Sequence, residues 1–262
     1  MNNILSFIKR HSLIIFFLLA YTLSWIPSLT EAHSIFPMGP FLAALIVLGL
    51  ANGKAGLLDF IRRIGRWRVG LQWYALVLGL PFVLNLAATG LNVLLGASVP
   101  TLDRVPPFSD FIPSLLFIFI LIGIGEEPAW RGFALPRLVN GRSILVGTLL
   151  LWGLHVLWHW PLYGLEYDSS NVVPWALGLM AYTFITTWLY QHTDGNLLLP
   201  ALFHTAVNMT ARYMFNPFFA GADLVQMYWM WAVTWWIAAV ILYRFWPASR
   251  PLMATGLTGG AP

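Results

Sequence analysis

The chain has 262 residues, of which 59% are hydrophobic and only 9% are Asp, Glu, Lys or Arg. Soluble domains average about 25% charged residues, so this composition excludes a water-exposed surface and indicates an all-α protein embedded in a lipid bilayer. The net charge of +4 does not indicate a nucleic-acid partner. The absence of cysteine excludes disulfides, thiolate metal sites and cysteine nucleophiles.

Eight apolar segments are candidates for membrane-spanning helices, which need about 20 mostly apolar residues each. They cover approximately residues 12–29, 35–51, 70–95, 111–134, 143–163, 172–190, 197–214 and 224–246. We therefore predict a polytopic membrane protein with about eight transmembrane helices. Its single domain covers residues 1–250, and residues 251–262 form a flexible tail rich in Gly, Ala, Pro and Thr.

The first apolar segment follows Lys9 and Arg10, as the apolar core of a signal peptide follows its basic start. Residues 30–32, Thr-Glu-Ala, make a poor cleavage site, however. We therefore expect the first helix to be retained in the membrane.

Loop charges predict the orientation, because cytoplasmic loops are enriched in Lys and Arg. The loops that alternate with the basic ones are acidic or nearly neutral, and only Arg212 does not fit this pattern. The alternation predicts a cell-membrane protein with an even number of helices and both termini in the cytoplasm. The basic residues occur near the N-terminus, in the second and fourth loops and after the last helix, at Lys9, Arg10, Lys54, Arg62, Arg63, Arg66, Arg68, Arg137, Arg142, Arg244 and Arg250.

Residues 54–69 form a short amphipathic stretch between the second and third segments. Its arginines can face anionic headgroups while its apolar residues face lipid, which is typical of an interfacial helix. We predict such a helix on the cytoplasmic side. The apolar residues are Leu57, Leu58, Phe60, Ile61 and Ile64.

The fourth segment contains two adjacent carboxylates and an arginine. Glu127 and Arg131 have the i, i+4 spacing and the order that favour an ion pair, whereas Glu126 lies ~100° around the helix without that partner. A poorly hydrated carboxylate binds a proton more readily, as a general acid or base at neutral pH requires. We assign Glu126 to chemistry and Glu127 with Arg131 to support. Pro128 lacks an N–H and predicts a kink beside them. The alternative is an interfacial charge pair that ends a helix.

Two further polar pairs with i, i+4 spacing lie in apolar segments. His155 and His159 share a helix face and can hold a metal ion. His204 and Asn208 carry nitrogen donors that can bind a developing oxyanion, although polar contacts between membrane helices explain such a pair equally well. Together with Glu126, these side chains supply a base, imidazoles and amide donors for amide hydrolysis. No serine stands out beside a base, so activated water is the expected nucleophile.

Three motifs in this order resemble those of the CPBP family, which includes CAAX-type prenyl endopeptidases and bacteriocin-processing or immunity proteins. The resemblance implies an eight-helix, glutamate-dependent intramembrane endopeptidase that cleaves a peptide or membrane-protein substrate without a metal or other cofactor. The motif core covers about residues 115–210. The motifs are Glu126-Glu127-x-x-x-Arg131, an aromatic-rich helix that ends in His159-Trp160-Pro161, and His204-x-x-x-Asn208.

The resemblance also implies a role for each motif residue. Glu126 activates water and His159 helps to hold that water. His204 and Asn208 bind the oxyanion. The first-motif residues Glu127 and Arg131 support this geometry.

Position 155 departs from the family pattern, which usually has Phe or Trp where this chain has His155. We expect His155 to support the site or to replace the aromatic ring in packing. A metal-dependent protease is the alternative, with His155, His159, His204 and Glu126 as ligands.

Two other functions stay open: a non-catalytic membrane immunity or scaffold protein, and a transporter that uses the glutamates as proton carriers. The absence of inverted repeats argues against the transporter.

Helix length raises one difficulty for a shared site. Counted at ~1.5 Å per residue from Ser143, His159 lies ~24 Å along the fifth segment, towards the outer face. Glu126 and His204 are expected nearer to mid-depth. A shared site therefore requires that the fifth helix is tilted or displaced.

Overall fold

The computed structural model describes residues 2–30, 34–215 and 217–246, and these ranges are folded almost entirely into helices. The predicted tail at 251–262 lies outside the described residues. The all-α prediction is confirmed. We number the helices α1 (Asn2–Arg10), α2 (Ser12–Trp25), α3 (Gly39–Ile64), α4 (Leu71–Leu94), α5 (Phe108–Leu138), α6 (Ile144–Trp158), α7 (Val172–His192), α8 (Leu198–Met214) and α9 (Gly221–Phe245).

Within the described ranges, six helices are long and apolar enough to cross a membrane: α2 with its following turn (Ser12–Leu29), α3, α4, α5, α7 and α9. Helix α6 has 15 residues and α8 has 17, fewer than the ~20 that a full crossing needs. The multi-pass membrane class is confirmed, whereas the predicted number of eight spanning helices is not. The two short helices carry the histidines of the predicted site.

Helix α3 is broken at Gly53. This residue has φ +63° and ψ −159°, a backbone conformation that is accessible to glycine and strained for other residues. The helix resumes at once and ends at Ile64, so the predicted interfacial helix at 54–69 is the shorter second arm of α3. Phe60 is buried in the protein core, and Leu57 and Ile64 pack against the same core. Part of the predicted lipid face is therefore a protein contact, while Leu58 and Ile61 remain exposed.

Arginines of this region contact neighbouring elements. Arg63 Nη1 donates to the Tyr190 hydroxyl at 3.0 Å, and its Nη2 donates to the Gly132 carbonyl at 3.3 Å. Arg66 Nη1 donates to the Asp194 carbonyl at 2.9 Å. These bonds tie the end of α3 to α5, α7 and the turn after α7, so arginines of the basic stretch have partners within the protein.

Two large hydrophobic clusters hold the helices together. One joins α2, α3, the second half of α5 and α6, with Trp130 and Trp158 at its centre. The other joins α4, α7, α8 and α9 around Phe203 and Trp235. The polar residues of α5 lie where the first cluster meets α7 and α8 of the second. Hydrophobic packing on both sides therefore positions them.

Helix α5 is irregular around its glutamates. A single α-helical turn, Ile124–Glu127, is flanked by two π-helical segments, Ile118–Gly123 and Pro128–Ala134. The second π segment begins at Pro128, whose missing N–H interrupts the α-helical bonding. Where the sequence predicted a kink at Pro128, the structure has a widened, π-helical segment. Such π segments occur frequently at functional sites.

Gly123 at the end of the first π segment explains how closely α8 approaches α5. A Cβ atom at this position would lie 2.7 Å from both the Ala201 carbonyl oxygen and the Thr205 hydroxyl oxygen. Only glycine leaves room for this approach. The contact holds the middle of α8 against the helix that carries the two glutamates.

Candidate active site

Glu127 is fully buried and is the centre of a polar network between α5, α7 and α8. Its Oε1 accepts hydrogen bonds from Arg131 Nη1 at 3.0 Å and from the Tyr182 hydroxyl at 2.6 Å. His204 Nδ1 lies 3.0 Å from the same oxygen, and Arg131 Nη2 donates to the Thr186 hydroxyl. The ion pair predicted from the i, i+4 spacing is confirmed. A buried charge requires such partners, because an unpaired one is costly.

Tyr182 and Thr186 are two members of this network that the sequence analysis did not single out. They lie one helical turn apart on α7, and the Thr186 hydroxyl donates back to the Tyr182 carbonyl at 2.8 Å. Both side chains are buried. The signal available in the sequence was the i, i+4 spacing of these two polar residues on an apolar helix. The sequence alone did not show that this face of α7 packs against α5.

Glu126 has different partners on another side of α5. Its Oε2 lies 3.2 Å from His155 Nε2 and accepts a longer hydrogen bond, 3.4 Å, from the Trp130 indole N–H. Both contacts involve one oxygen, and the described residues provide no hydrogen bond to the other, Oε1. The side chain of Glu126 is almost completely buried. Oε1 is therefore the oxygen of this carboxylate that is available to a further partner.

A cavity of about 190 Å³ lies beside the two glutamates, between α6, α7, α8, α9 and the loop that follows α6. Four predicted site residues line it, namely His155, His159, His204 and Asn208. The glutamates lie behind this lining. His155 connects the cavity to Glu126, and His204 connects it to Glu127. Each glutamate thus contacts a histidine that lines the same cavity.

His159 follows the last residue of α6, and its ring lies beside that of His155 with 4.9 Å between the centroids. Its Nδ1–H donates to the His155 carbonyl oxygen at 2.9 Å. In a neutral imidazole with this tautomer, Nε2 is a hydrogen-bond acceptor. The cavity wall therefore presents an acceptor nitrogen at this position.

The length of α6 accounts for the depth of His159. Fifteen residues span ~22 Å at ~1.5 Å each, less than the ~30 Å thickness of a bilayer core. The last turn of α6 can therefore lie within the membrane, at the level of Glu126, instead of reaching the far surface. The proximity of His159 to His155, which itself contacts Glu126, removes the difficulty that the sequence raised.

Asn208 and His204 lie one turn apart on the face of α8 that lines the cavity. The Asn208 side-chain amide donates to the His204 carbonyl oxygen at 3.2 Å. His204 is mostly buried, and its Nδ1 is directed at Glu127. The pair predicted from spacing is thus present on one wall.

The alternative metal site has no counterpart in the part of the chain that the structure describes, where no three His, Asp or Glu side chains are grouped as ligands. Two of the four candidate ligands contact different glutamates: His155 contacts Glu126, whereas His204 contacts Glu127. His159 Nδ1 is engaged by a backbone carbonyl. That the chain needs no metal or cofactor stays a prediction.

The loop after α6 forms the outer wall of the cavity with Glu166 and Tyr167. The Tyr167 ring stacks on Trp175 of α7 with 4.1 Å between the centroids. Backbone hydrogen bonds from residues 165–167 to the Leu162 carbonyl oxygen tighten the loop. The wall is therefore an ordered part of the site that the motifs did not indicate.

Comparison with known proteins identifies similar chains. Residues 108–210 match a family model described as type II CAAX prenyl endopeptidase Rce1-like. The chain is also 26% identical to CAAX prenyl protease 2 of Methanococcus maripaludis over 185 residues, which are 66% of this chain and 68% of that protein. The matched range 108–210 begins with α5 and ends within α8. It therefore includes every residue that the sequence analysis assigned to the site.

Proposed function

We propose that the chain is a CAAX-protease-like membrane endopeptidase of the CPBP family, to which it is similar, and that it hydrolyses a peptide bond with water activated by Glu126. The proposal depends on one observation. Glu126 contacts His155 and Glu127 contacts His204, and both histidines line one cavity. The substrate is a peptide or a membrane protein.

In the proposed first step, Glu126 takes a proton from a water molecule that has entered from the cavity and lies next to its carboxylate. Its Oε1 is available for this proton, because Trp130 and His155 both contact Oε2. His159 Nε2 can accept the second hydrogen bond of the water, since its Nδ1–H donates to the backbone. The oxygen of the water then forms a bond to the scissile carbonyl carbon.

The tetrahedral intermediate carries a negative oxygen that needs donors. His204 can supply one from Nε2 in its imidazolium form, whose other nitrogen, Nδ1, lies 3.0 Å from Glu127 Oε1. The Asn208 amide on the same wall supplies another. Donors that are already oriented stabilise such an oxyanion without reorganisation. Glu127, held by Arg131 and Tyr182, keeps His204 in place.

Collapse of the intermediate breaks the carbon–nitrogen bond. The proton on Glu126 passes to the leaving amine, so the carboxylate is restored and the carbonyl carbon keeps the oxygen of the water. His155 lines the cavity, contacts Glu126 Oε2 and positions the carboxylate throughout the cycle. It is a positioning residue in this scheme.

The proposal is tested with Glu126→Gln in the full chain. Membranes from cells that make the wild type or the variant are compared for new protein N-termini. Loss of a general base typically lowers a rate about 10²–10⁴-fold, so we expect the N-termini produced by the wild type to disappear. The unfolding midpoint should hardly change, because Gln keeps the shape of the side chain.

Asp110→Asn is the matched control, since it makes the same carboxylate-to-amide change near the start of α5, far from the site. It should cleave like the wild type. Undiminished cleavage by Glu126→Gln would refute the mechanism. If even the wild type produced no N-termini beyond those of cells without the protein, the non-catalytic scaffold function would be favoured.

A further inference from the structure

The helices have two ends that differ in charge, and hydrogen bonds between helices identify them. At one end, Arg137 Nε at the end of α5 donates to Ser12 Oγ at the start of α2, at 3.3 Å. The Asn196 amide before α8 donates to the Arg66 carbonyl after α3, at 2.7 Å. We call this the basic end. It consists of the start of α2, residues 54–70, 135–143 and 192–197, and the end of α9.

The opposite end is the acidic end, made of the described residues of the loops 26–38, 95–110, 159–171 and 215–220. Here Trp25 Nε1 donates to the Trp158 carbonyl at 2.9 Å. The Ser98 hydroxyl donates to Asp223 Oδ2 at the start of α9, also at 2.9 Å. The four loops thus meet at one end of the helices, with Asp103, Asp110, Glu166, Asp168 and Asp223 in or next to them.

The described ranges contain thirteen Lys and Arg residues, and their distribution is strongly asymmetric. Two, Arg104 and Arg212, lie towards the acidic end, and Arg131 is inside the site. The other ten lie at or next to the basic end: Lys9, Arg10, Lys54, Arg62, Arg63, Arg66, Arg68, Arg137, Arg142 and Arg244. An excess of Lys and Arg in short loops marks the cytoplasmic side of a membrane protein.

The cavity belongs to the acidic end. Glu166 and Tyr167 of the loop at 159–171 form part of its wall, as does Phe215 directly after α8. Helix α6 contributes His155, which lies in its last turn. Helix α9 contributes Tyr228 and Trp231, which lie in its first half. No residue of the basic end lines it.

We propose that the site opens to the extracytoplasmic side of the membrane, so that its substrates are peptide segments presented at the outer face. This rests on the proposed proteolytic function. The candidate substrates are exported peptides and the outer segments of membrane proteins. The C-terminus of a cytosolic protein would meet the basic end, which has no access to this cavity.

The lining supports that class of substrate. It contains no Lys or Arg, and Glu166 is its one carboxylate. A substrate whose C-terminal carboxylate lay beside Glu166 would meet this carboxylate and no Lys or Arg of the lining that could bind it. Internal cleavage of an extended outer segment fits the charges better.

The orientation is tested with single-cysteine variants of the full chain in intact cells. The natural chain contains no cysteine, so Ser169→Cys and Asn140→Cys each introduce the only thiol. Ser169 is exposed in the loop beside the cavity, and Asn140 is exposed in the turn between α5 and α6, at the basic end. A membrane-impermeant maleimide should label Ser169→Cys in intact cells. It should label Asn140→Cys only after permeabilisation.

Labelling of Asn140→Cys in intact cells would overturn the proposal, as would labelling of Ser169→Cys only after permeabilisation. The readout does not require activity. An inactive chain with Ser169→Cys labelled from outside would refute the protease and keep the orientation, whereas an active chain with the opposite labelling would refute the orientation alone.

Discussion

Glu126 and Glu127 are adjacent in sequence and buried in the same turn of α5, yet their surroundings differ. Glu127 faces α7 and α8, where Arg131, Tyr182 and His204 surround it. Glu126 faces α6, where His155 and a longer contact from Trp130 reach only one of its oxygens. Adjacent residues on a helix point ~100° apart, so two neighbours can belong to different environments.

This difference separates a supporting carboxylate from a reactive one. A buried charge is stabilised when it is paired and fully hydrogen-bonded, and a group so engaged has little capacity for new bonds. Glu127 comes closer to that description, because its Oε1 accepts bonds from Arg131 and Tyr182 and both of its oxygens lie 3.0 Å from Arg131 Nη1. Glu126 keeps one oxygen without a protein partner, as a proton acceptor requires. Four substitutions sharpen the contrast, from the largest expected effect to the smallest.

Arg131→Met removes the arginine that forms an ion pair with Glu127 and leaves that carboxylate buried. Breaking one partner out of a buried ion pair typically costs about 3–5 kcal/mol, and we expect a loss of this size in the free energy of unfolding. Unfolding of the purified protein in mixed detergent measures it. Arg142→Met, an exposed arginine near the end of α5, is the control and should change little. A loss below about 1 kcal/mol would contradict the supporting role of the pair.

Tyr182→Phe removes one hydrogen bond to Glu127 and leaves the ring in place. A hydrogen bond to a charged group contributes about 1.5–3 kcal/mol, so stability should fall by that amount. Cleavage should fall less than in Glu126→Gln. The same unfolding measurement, with initial rates of cleavage, tests this. Tyr163→Phe, on an exposed tyrosine, should be neutral. If the variant had normal stability but no activity, Tyr182 would have a catalytic role instead of a supporting one.

His155→Phe tests the Glu126 side. The substitution removes the Nε2 contact with the carboxylate and so disfavours its charged form. We expect about a tenfold loss of kcat/KM, equivalent to ~1.4 kcal/mol, and a shift of the acid limb of the pH profile to higher pH. Stability should be maintained, because His155 Nδ1 is buried without a hydrogen bond and Phe removes this unsatisfied atom. An unchanged pH profile would show that His155 only fills space.

Asp168→Asn concerns the loop beside the cavity and should have the smallest effect. The Ser170 hydroxyl and backbone N–H donate to Asp168 Oδ1 and hold the pKa of this carboxyl below its usual value. The loop is therefore stabilised above the ordinary aspartate pKa, and this contribution is lost as the pH falls through the lowered pKa. Hydrogen exchange of residues 163–171 should be faster in the variant at neutral pH and similar to the wild type in acid. Equal exchange at neutral pH would contradict the role of these bonds, and cleavage should stay within about twofold.

The amino-acid sequence by itself determined the membrane class and the pairs within single helices. The Glu127–Arg131 ion pair and the shared face of His204 and Asn208 follow from i, i+4 spacing, because one helical turn brings such residues together whatever surrounds them. The asymmetry of Lys and Arg is also readable without a structure. The break at Gly53 was not, since glycine permits a left-handed backbone without requiring it.

Only the tertiary structure decided which helix faces which. The contacts of Glu126 with His155, of Glu127 with His204 and of Tyr182 with Glu127 depend on how α5 packs against α6, α7 and α8. No local spacing encodes that packing, because it results from the complementary shapes of several apolar helices, including the close approach that Gly123 permits. The sequence therefore supplied the candidate side chains, and helix packing determined which glutamate each histidine contacts.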